Sequence, residues 1–247
     1  MQFATGIFLL FCVMTYGAEL PSSFKICKKN EPKLEECFAE AAKQAIGLLA
    51  SGLKSLKVLP IDPLSVDSVS IGEGGGAVNL KQKYKNIKLY GLAKGLEISD
   101  YKVDLEKLIF KSMSFNPQVD FVADYELDGK VLVLPIRGHG RSNITMLNLK
   151  TQNIFTGEKF EKDGETYMRI TKYTVKFNPE KVLLKFDNLF DGDEVLSNQM
   201  NTFLNENADL LFKELKGSYE ETFGLVFAQM ANEIFTRVPF NKILPSS

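Results

Sequence analysis

Few residues in this 247-residue chain have the types and spacing that covalent chemistry needs. Gly72-Glu73-Gly74-Gly75-Gly76-Ala77 spells G-x-G-x-x-A, with Glu97 about twenty residues further on, formally a dinucleotide fingerprint. That motif needs a helix straight after the glycines, so that its N-terminus meets the pyrophosphate. Residues 77–92 read as strand instead, with Tyr84, Ile87, Leu89 and Leu92 among lysines, so the glycines predict a flexible hairpin turn. His139, the single histidine, lies in Arg137-Gly138-His139-Gly140-Arg141. A general base could stand in such a glycine turn, but no G-x-S-x-G nucleophile motif accompanies it, and a solvated turn is the plainer reading. The flanking arginines could hold a carboxylate head group. Asp187, Asp191, Asp193 and Glu194 miss the D-x-[DN]-x-[DN]-G calcium spacing and instead suit the capping of a following helix. Cys27, Cys37 and one histidine cannot fill a four-coordinate zinc site. A net charge of −1, with Lys81, Lys83, Lys85, Lys88 and Lys94 scattered along strands, argues against a nucleic-acid groove. No metal, no cofactor and no enzymatic activity are expected.

The residues that remain informative are apolar. Phe alone contributes 19 residues and there is no Trp, so the chain predicts a large interior without polar handles. Residues 1–18 carry no charged side chain. The run Ile7–Met14 is too short to span a bilayer, and Gly17 and Ala18 follow as small residues at a cleavage point. This reads as a secretory signal peptide, leaving residues 19–247 as one secreted domain with no stable membrane insertion. In an oxidising route Cys27 and Cys37 form a natural disulfide pair. Asn143-Ile144-Thr145 is a glycosylation sequon, usable if exposed.

Three kinds of element must position this interior. Residues 38–56 carry apolar side chains at 38, 41, 42, 45, 46, 49, 53 and 56, a helix ended by Pro60 and Pro63. From Val66 to Phe190 the period is two. About ten strands are expected, among them Val66–Ile71, Ala77–Leu80, Tyr84–Leu92, Leu96–Phe110, Asn143–Leu149 and Val182–Phe186. Asp128-Gly129 and Asp163-Gly164 predict hairpin turns. From Asp193 to Phe235 the apolar gaps return to threes and fours, predicting one helix of roughly 40 residues and about 60 Å. Strands joined by turns make an antiparallel sheet, and a sheet curled around the long helix buries the apolar faces of both. The fold class is therefore α+β. Such a roll need not fill completely, and a Phe-, Leu- and Met-lined gap would be an apolar cavity. Candidates to line it are Leu49 and Leu53 on the first helix, Phe121 and Tyr125 on the sheet, and Phe203, Leu211 and Phe223 on the long helix.

Several stretches resemble the takeout-like, juvenile-hormone-binding proteins of insects. They are the signal, the Cys27–Cys37 pair before a helix, Ile61-Asp62-Pro63-Leu64, and Tyr90-Gly91-Leu92. The most specific runs from Phe177-Asn178-Pro179-Glu180-Lys181 through Phe190-Asp191-Gly192-Asp193 to Phe203-Leu204-Asn205-Glu206-Asn207, and the chain closes on Val238-Pro239-Phe240. Ala208 stands where members commonly have Trp, and the single cysteine pair is similar to the takeout branch. The resemblance implies a super-roll of the tubular lipid-binding type. It also implies a secreted, monomeric carrier, with a circadian connection, that holds one juvenile-hormone-like terpenoid, fatty-acid-like molecule or semiochemical in a tunnel. Two other readings stand beside it: a signalling protein acting through a receptor or carrier protein, and a hydrolase of apolar esters using His139.

Overall fold

Two very long strands carry the architecture of the computed structural model, which describes residues 18–72 and 76–246. Residues 1–17 of the expected signal peptide and 73–75 of the glycine turn lie outside the described residues. β4 (Ile109–Val131) pairs antiparallel with β5 (Leu134–Lys162) from Ile109 opposite Thr156 to Val131 opposite Leu134. Laid flat, the 29 residues of β5 would reach about 95 Å at ~3.3 Å each, so the strand has to coil to stay in one globule. β1 (Leu64–Ile71) and β2 (Val78–Tyr90) extend the sheet beyond the second half of β4, and β3 (Glu97–Asp104) takes its first half. On the other edge of β5, β7 (Lys181–Phe186) covers residues 142–147 and β6 (Glu165–Asn178) covers 150–162. Bulges between Lys85 and Lys88, Ser99 and Lys102, and Thr156 and Gly157 supply the bend.

Among the described residues four α-helices accompany the sheet: α1 (Leu34–Leu49), α2 (Glu194–Glu206), α3 (Ala208–Phe235) and α4 (Phe240–Ile243). The buried faces of β1, β2, β4, β5, β6 and β7 form one core with α2 and the first half of α3. α1, β3 and α4 close a second core at the other end around Tyr101, Phe110 and Met168. The curled antiparallel sheet, the long C-terminal helix and the short N-terminal helix are as the sequence predicts.

The differences have local causes. Among the described residues there are seven strands, not about ten. β2 was expected as two strands, Ala77–Leu80 and Tyr84–Leu92, because Lys81, Gln82 and Lys83 read as a polar gap, but Gln82 is a buried position and the strand runs through it, with its bulge further on at Lys85–Lys88. Residues 96–110 form the β3–β4 hairpin and not one strand. The Asp104 carboxylate accepts the N–H groups of Glu106 and Lys107 there, and Leu108 adopts a left-handed φ of 51°. Asp128-Gly129 is no turn. Gly129 lies inside β4, where a Cβ would stand 2.1 Å from the Asn79 carbonyl oxygen, and the turn falls at 132–133. Asp163-Gly164 is the turn expected between β5 and β6. The first helix starts at Leu34 and stops at Leu49. Gly52 (φ 84°) turns the chain back, and Leu53 bridges Val58.

The 40-residue helix is also broken. Asp193 caps its start, accepting from the Leu196 N–H at 2.9 Å. Asn207 then leaves helical geometry (φ −111°, ψ 17°), its amide donating to the Phe203 carbonyl. The break lets α2 follow β7 while α3 follows β6. Three asparagines attach the helices to the sheet. Asn201 accepts from the Phe186 N–H at 2.9 Å and donates to its carbonyl at 2.8 Å. Asn205 does the same to Leu184 (2.9 and 2.7 Å), and Asn232 to Ile170 (2.7 and 3.0 Å). Each amide stands in for the paired residue of a neighbouring strand and blunts an open sheet edge. The double variant Asn201→Ala/Asn205→Ala strips four such bonds from β7. The expected loss is about 2–4 kcal/mol in chemical denaturation, and a loss below about 0.5 kcal/mol would deny the clips a structural role.

Candidate functional site: a row of apolar cavities along α3

Where α3 faces the sheet, the side chains do not fill the space. Three cavities follow one another along the helix. The first, about 50 Å³, lies between Leu211, Leu215 and the strand residues Leu80 and Ile136. The second, about 70 Å³, is bounded by Phe121, Phe177, Phe223 and Phe227. The third, about 260 Å³, lies where α1 crosses the end of α3. Ile144, Met146 and Tyr219 line both the first and the second. From Leu211 to Ile234 the row follows about 35 Å of helix at 1.5 Å per residue.

The sequence explains why the third is the largest. α1 presents Ala41, Ala42 and Ala45 toward it, between Phe38 and Ile46. Small side chains on the helix stand opposite an aromatic wall: Phe110 stacks on Phe155 (4.7 Å between centroids), Phe38 on Tyr101 (5.5 Å), and Phe155 leans on Tyr173 (5.6 Å). Rings packed on one another cannot collapse into the space that the alanines leave. The Cys27–Cys37 disulfide ties the N-terminal segment to α1 across 5.9 Å between Cα atoms, and Cys27 lines the cavity. An apolar void of about 150 Å³ already stays dry and takes up benzene, so the third cavity has room for an apolar molecule of at least that size. Tyr173 and Phe227, 6.1 Å apart, stand between it and the second.

The polar groups in the row are few. The Tyr84 and Tyr219 hydroxyls lie 3.0 and 2.9 Å from the Gln82 Oε1 and 3.0 Å from each other, so two hydroxyl protons are shared among three contacts. Burial raises the phenols of Tyr84, Tyr101 and Tyr219 above the usual range and pushes Tyr173 up to about 12. Above pH 10 the unfolded chain ionises these phenols while the folded chain keeps them neutral. Stability is therefore present below pH 10 and lost as pH rises, by about 1.4 kcal/mol per pH unit for each group. The deeply buried Tyr84, Tyr101 and Tyr219 together give about 4 kcal/mol per unit. The protein should unfold at roughly pH 10.5–12, with phenolate absorbance at 295 nm rising in step with loss of ellipticity. Full tyrosine ionisation near pH 10 in a folded protein would contradict this burial.

The residues singled out in the sequence divide. Leu49 lines the third cavity, Phe121 and Phe223 the second, and Leu211 the first. Leu53 packs under α1 and Phe203 against the main core, and neither lines any of these three cavities. Tyr125 packs edge-on against Phe186 at 5.0 Å and donates to the Asp187 carbonyl at 2.6 Å, at the floor of an outer groove. The aromatic wall of Phe38, Phe110 and Phe155 was missed. Its one sequence signal was the apolar and alanine face of α1.

The polar candidates lie elsewhere. His139 is exposed on β5 opposite Glu126, not in a turn, and its groove has no serine, threonine or cysteine among its described lining residues. Arg137 is 3.4 Å from Asp191 and Arg141 is 2.9 Å from Asp124, so both arginines already have carboxylate partners. A strand, β2, follows the glycine turn, so the dinucleotide geometry is absent. Asn143 is half-buried in β5 between Val122 and Lys185, and the Thr145 hydroxyl donates to Asp120. Among the described residues, no helix is long and apolar enough to cross a membrane.

Comparison with known proteins agrees with this geometry. The chain is similar to the circadian clock-controlled protein daywake of Drosophila yakuba, at 26% identity over 90% of this chain and 87% of that one. The Drosophila melanogaster counterpart is 24% identical over 94% of this chain and 90% of its own length. The crystal structure of Epiphyas postvittana Takeout 1 superposes with a TM-score of 0.77 at 26% identity, covering 90% of this chain and 99% of that one. The family model described as haemolymph juvenile hormone binding protein matches residues 7–245. A fold of this kind, with an apolar row at its centre and that match over nearly all its length, places the chain in the haemolymph juvenile hormone binding protein family, on its takeout-like side.

Proposed function

We propose that residues 19–247 form one secreted domain that carries a single elongated hydrophobic molecule along α3. The row of apolar cavities is the observation that supports this reading. The uncharged N-terminal run and the cysteine pair support export. The mechanism is burial without chemistry. Each CH₂ removed from water contributes about 0.8 kcal/mol, so a fifteen-carbon ligand gains up to ~12 kcal/mol before the entropy of association is subtracted. Terpenoids like juvenile hormone, fatty-acid-like chains and semiochemicals all have this form, and the family's name favours the first. The protein acts as a monomer and needs no cofactor.

Displacement titrations test the reading. A naphthylamine probe whose fluorescence rises on burial should bind at one site per chain. A fifteen-carbon terpenoid ester should displace it at micromolar concentration or below. Absence of any probe or ester binding by the folded protein would overturn the carrier reading in favour of action through a protein partner. The β4–β5 tip, where Val133 is 88% exposed beside Leu132 and Leu134, is the place to look for that partner.

A further inference from the structure

The first cavity contains an incomplete hydrogen-bond set. Gln82 is 4% exposed, its Oε1 lies within hydrogen-bond distance of two tyrosine hydroxyls, and its Nε2 is buried with no partner. The side-chain amide carries two N–H donors, and a buried donor without an acceptor is destabilising. Both tyrosine hydroxyls face the Gln82 Oε1, and the amide nitrogen is the end left without a partner. Gln82, Tyr84 and Tyr219 all line the first cavity, and Tyr219 also lines the second. The triad therefore stands where the first cavity meets the second, and the other polar side chains along the row are Asn116 and Thr151 in the second cavity and Lys25, Tyr101 and Tyr173 in the third. None of the residues lining the first cavity is charged.

We propose that Gln82 is the polar anchor of the ligand site, donating from its amide nitrogen to a neutral oxygen acceptor on an elongated apolar molecule. This rests on the carrier reading and narrows it. The acceptor is the oxygen of an ester, ketone or ether. An ionised carboxylate would have to be desolvated with no cation beside it, and that cost excludes a fatty-acid anion from this position. The ligand's hydrocarbon part then extends along α3 from the triad toward Phe223. A hydrocarbon of equal length fills the same row but leaves the amide unpaired. Selection among apolar molecules is thus assigned to one hydrogen bond, and affinity to burial.

The test compares 2-pentadecanone with pentadecane, each displacing the naphthylamine probe from wild type and from Gln82→Leu. The ketone pays its own desolvation in both proteins, so the ratio of the two affinities, compared between proteins, isolates the amide. The expected result is a fall of about tenfold in the ketone-to-alkane ratio in Gln82→Leu, with pentadecane binding within about threefold of wild type. The ¹³C resonance of a labelled ketone carbonyl should lie further downfield when bound to wild type than when bound to the variant. A ratio that agrees within about twofold between wild type and variant overturns the anchor. If Gln82→Leu does not fold, Gln82→Met is judged by the same ratio. Failure of wild type to bind either compound overturns the carrier reading and this inference with it. Binding of both by wild type with an unchanged ratio overturns the inference alone.

Discussion

Phe223→Glu should abolish ligand uptake, raising the probe's dissociation constant at least ~100-fold. Phe223 is 5% exposed and lines the second cavity, with the rings of Phe121 and Phe227 each 6.0 Å away. A glutamate there must either carry an unpaired charge among aromatic rings or take up a proton at a raised pKa. Both forms place a hydrated group where the ligand's hydrocarbon would lie. Lost ring packing adds a stability cost of about 3–5 kcal/mol. Far-UV ellipticity of the variant therefore has to be checked before its binding is interpreted. Phe223→Leu supplies the control. It keeps the site apolar, should cost about 1–2 kcal/mol, and should bind within about fivefold of wild type. A folded glutamate variant with unchanged binding would remove the second cavity from the ligand's path.

Ala42→Phe should produce two effects of opposite sign. Ala42 lies on α1 facing the third cavity, packed near Phe38 and Tyr101. A phenyl ring there enters empty space rather than occupied core. Its burial should raise stability by about 1–2 kcal/mol, after the small helix-propensity penalty of an aromatic residue. The same ring takes the volume that the ligand needs, and affinity should fall at least ~30-fold. A destabilising substitution that weakens binding is ambiguous, because damage to the fold explains both. A stabilising one that weakens binding has only occupancy as its cause. Lower thermal stability with intact affinity would mean that the third cavity is not part of the binding space.

How far the sequence reveals this protein differs from element to element. The helical spacing from Leu196 to Ile234 is visible because burial on one face imposes threes and fours over many turns. The break at Asn207 is not, because an asparagine in a helical pattern looks like any polar surface residue. Its role depends on a carbonyl four residues back and on two strands that diverge. Asn201, Asn205 and Asn232 are hidden for the same reason, since each acts on an edge distant in sequence. Strand pattern is legible where alternation is unbroken, as from Val119 to Leu127. It misleads at Lys81–Lys83, where the buried polar Gln82 between two lysines looks like a gap, and at Asp128-Gly129, where a turn-like dipeptide serves a close approach to Asn79.

The cavities follow the same logic. Leu49, Phe121, Leu211 and Phe223 line cavities, and each sits on a buried face. Burial alone did not separate them from Leu53 and Phe203, which pack against core. What makes a void is a mismatch between faces, and the alanines of α1 meet the rings of β4 and β5 only in three dimensions. The Gln82 triad joins two neighbours on β2 to a tyrosine on α3, and no local pattern announces it. Tyr125, by contrast, has its hydroxyl turned outward to the Asp187 carbonyl, a direction that its place in an alternating strand does not give.

The measurement that tests the central claim most directly is native mass spectrometry of the protein secreted from insect cells, followed by organic extraction and identification of what is released. The carrier account predicts a complex heavier than the polypeptide by the mass of one apolar molecule, at near one-to-one stoichiometry, and the Gln82 anchor adds that this molecule bears an ester, ketone or ether oxygen. A bare polypeptide mass, together with failure of the naphthylamine probe and of terpenoid esters to bind, would contradict it.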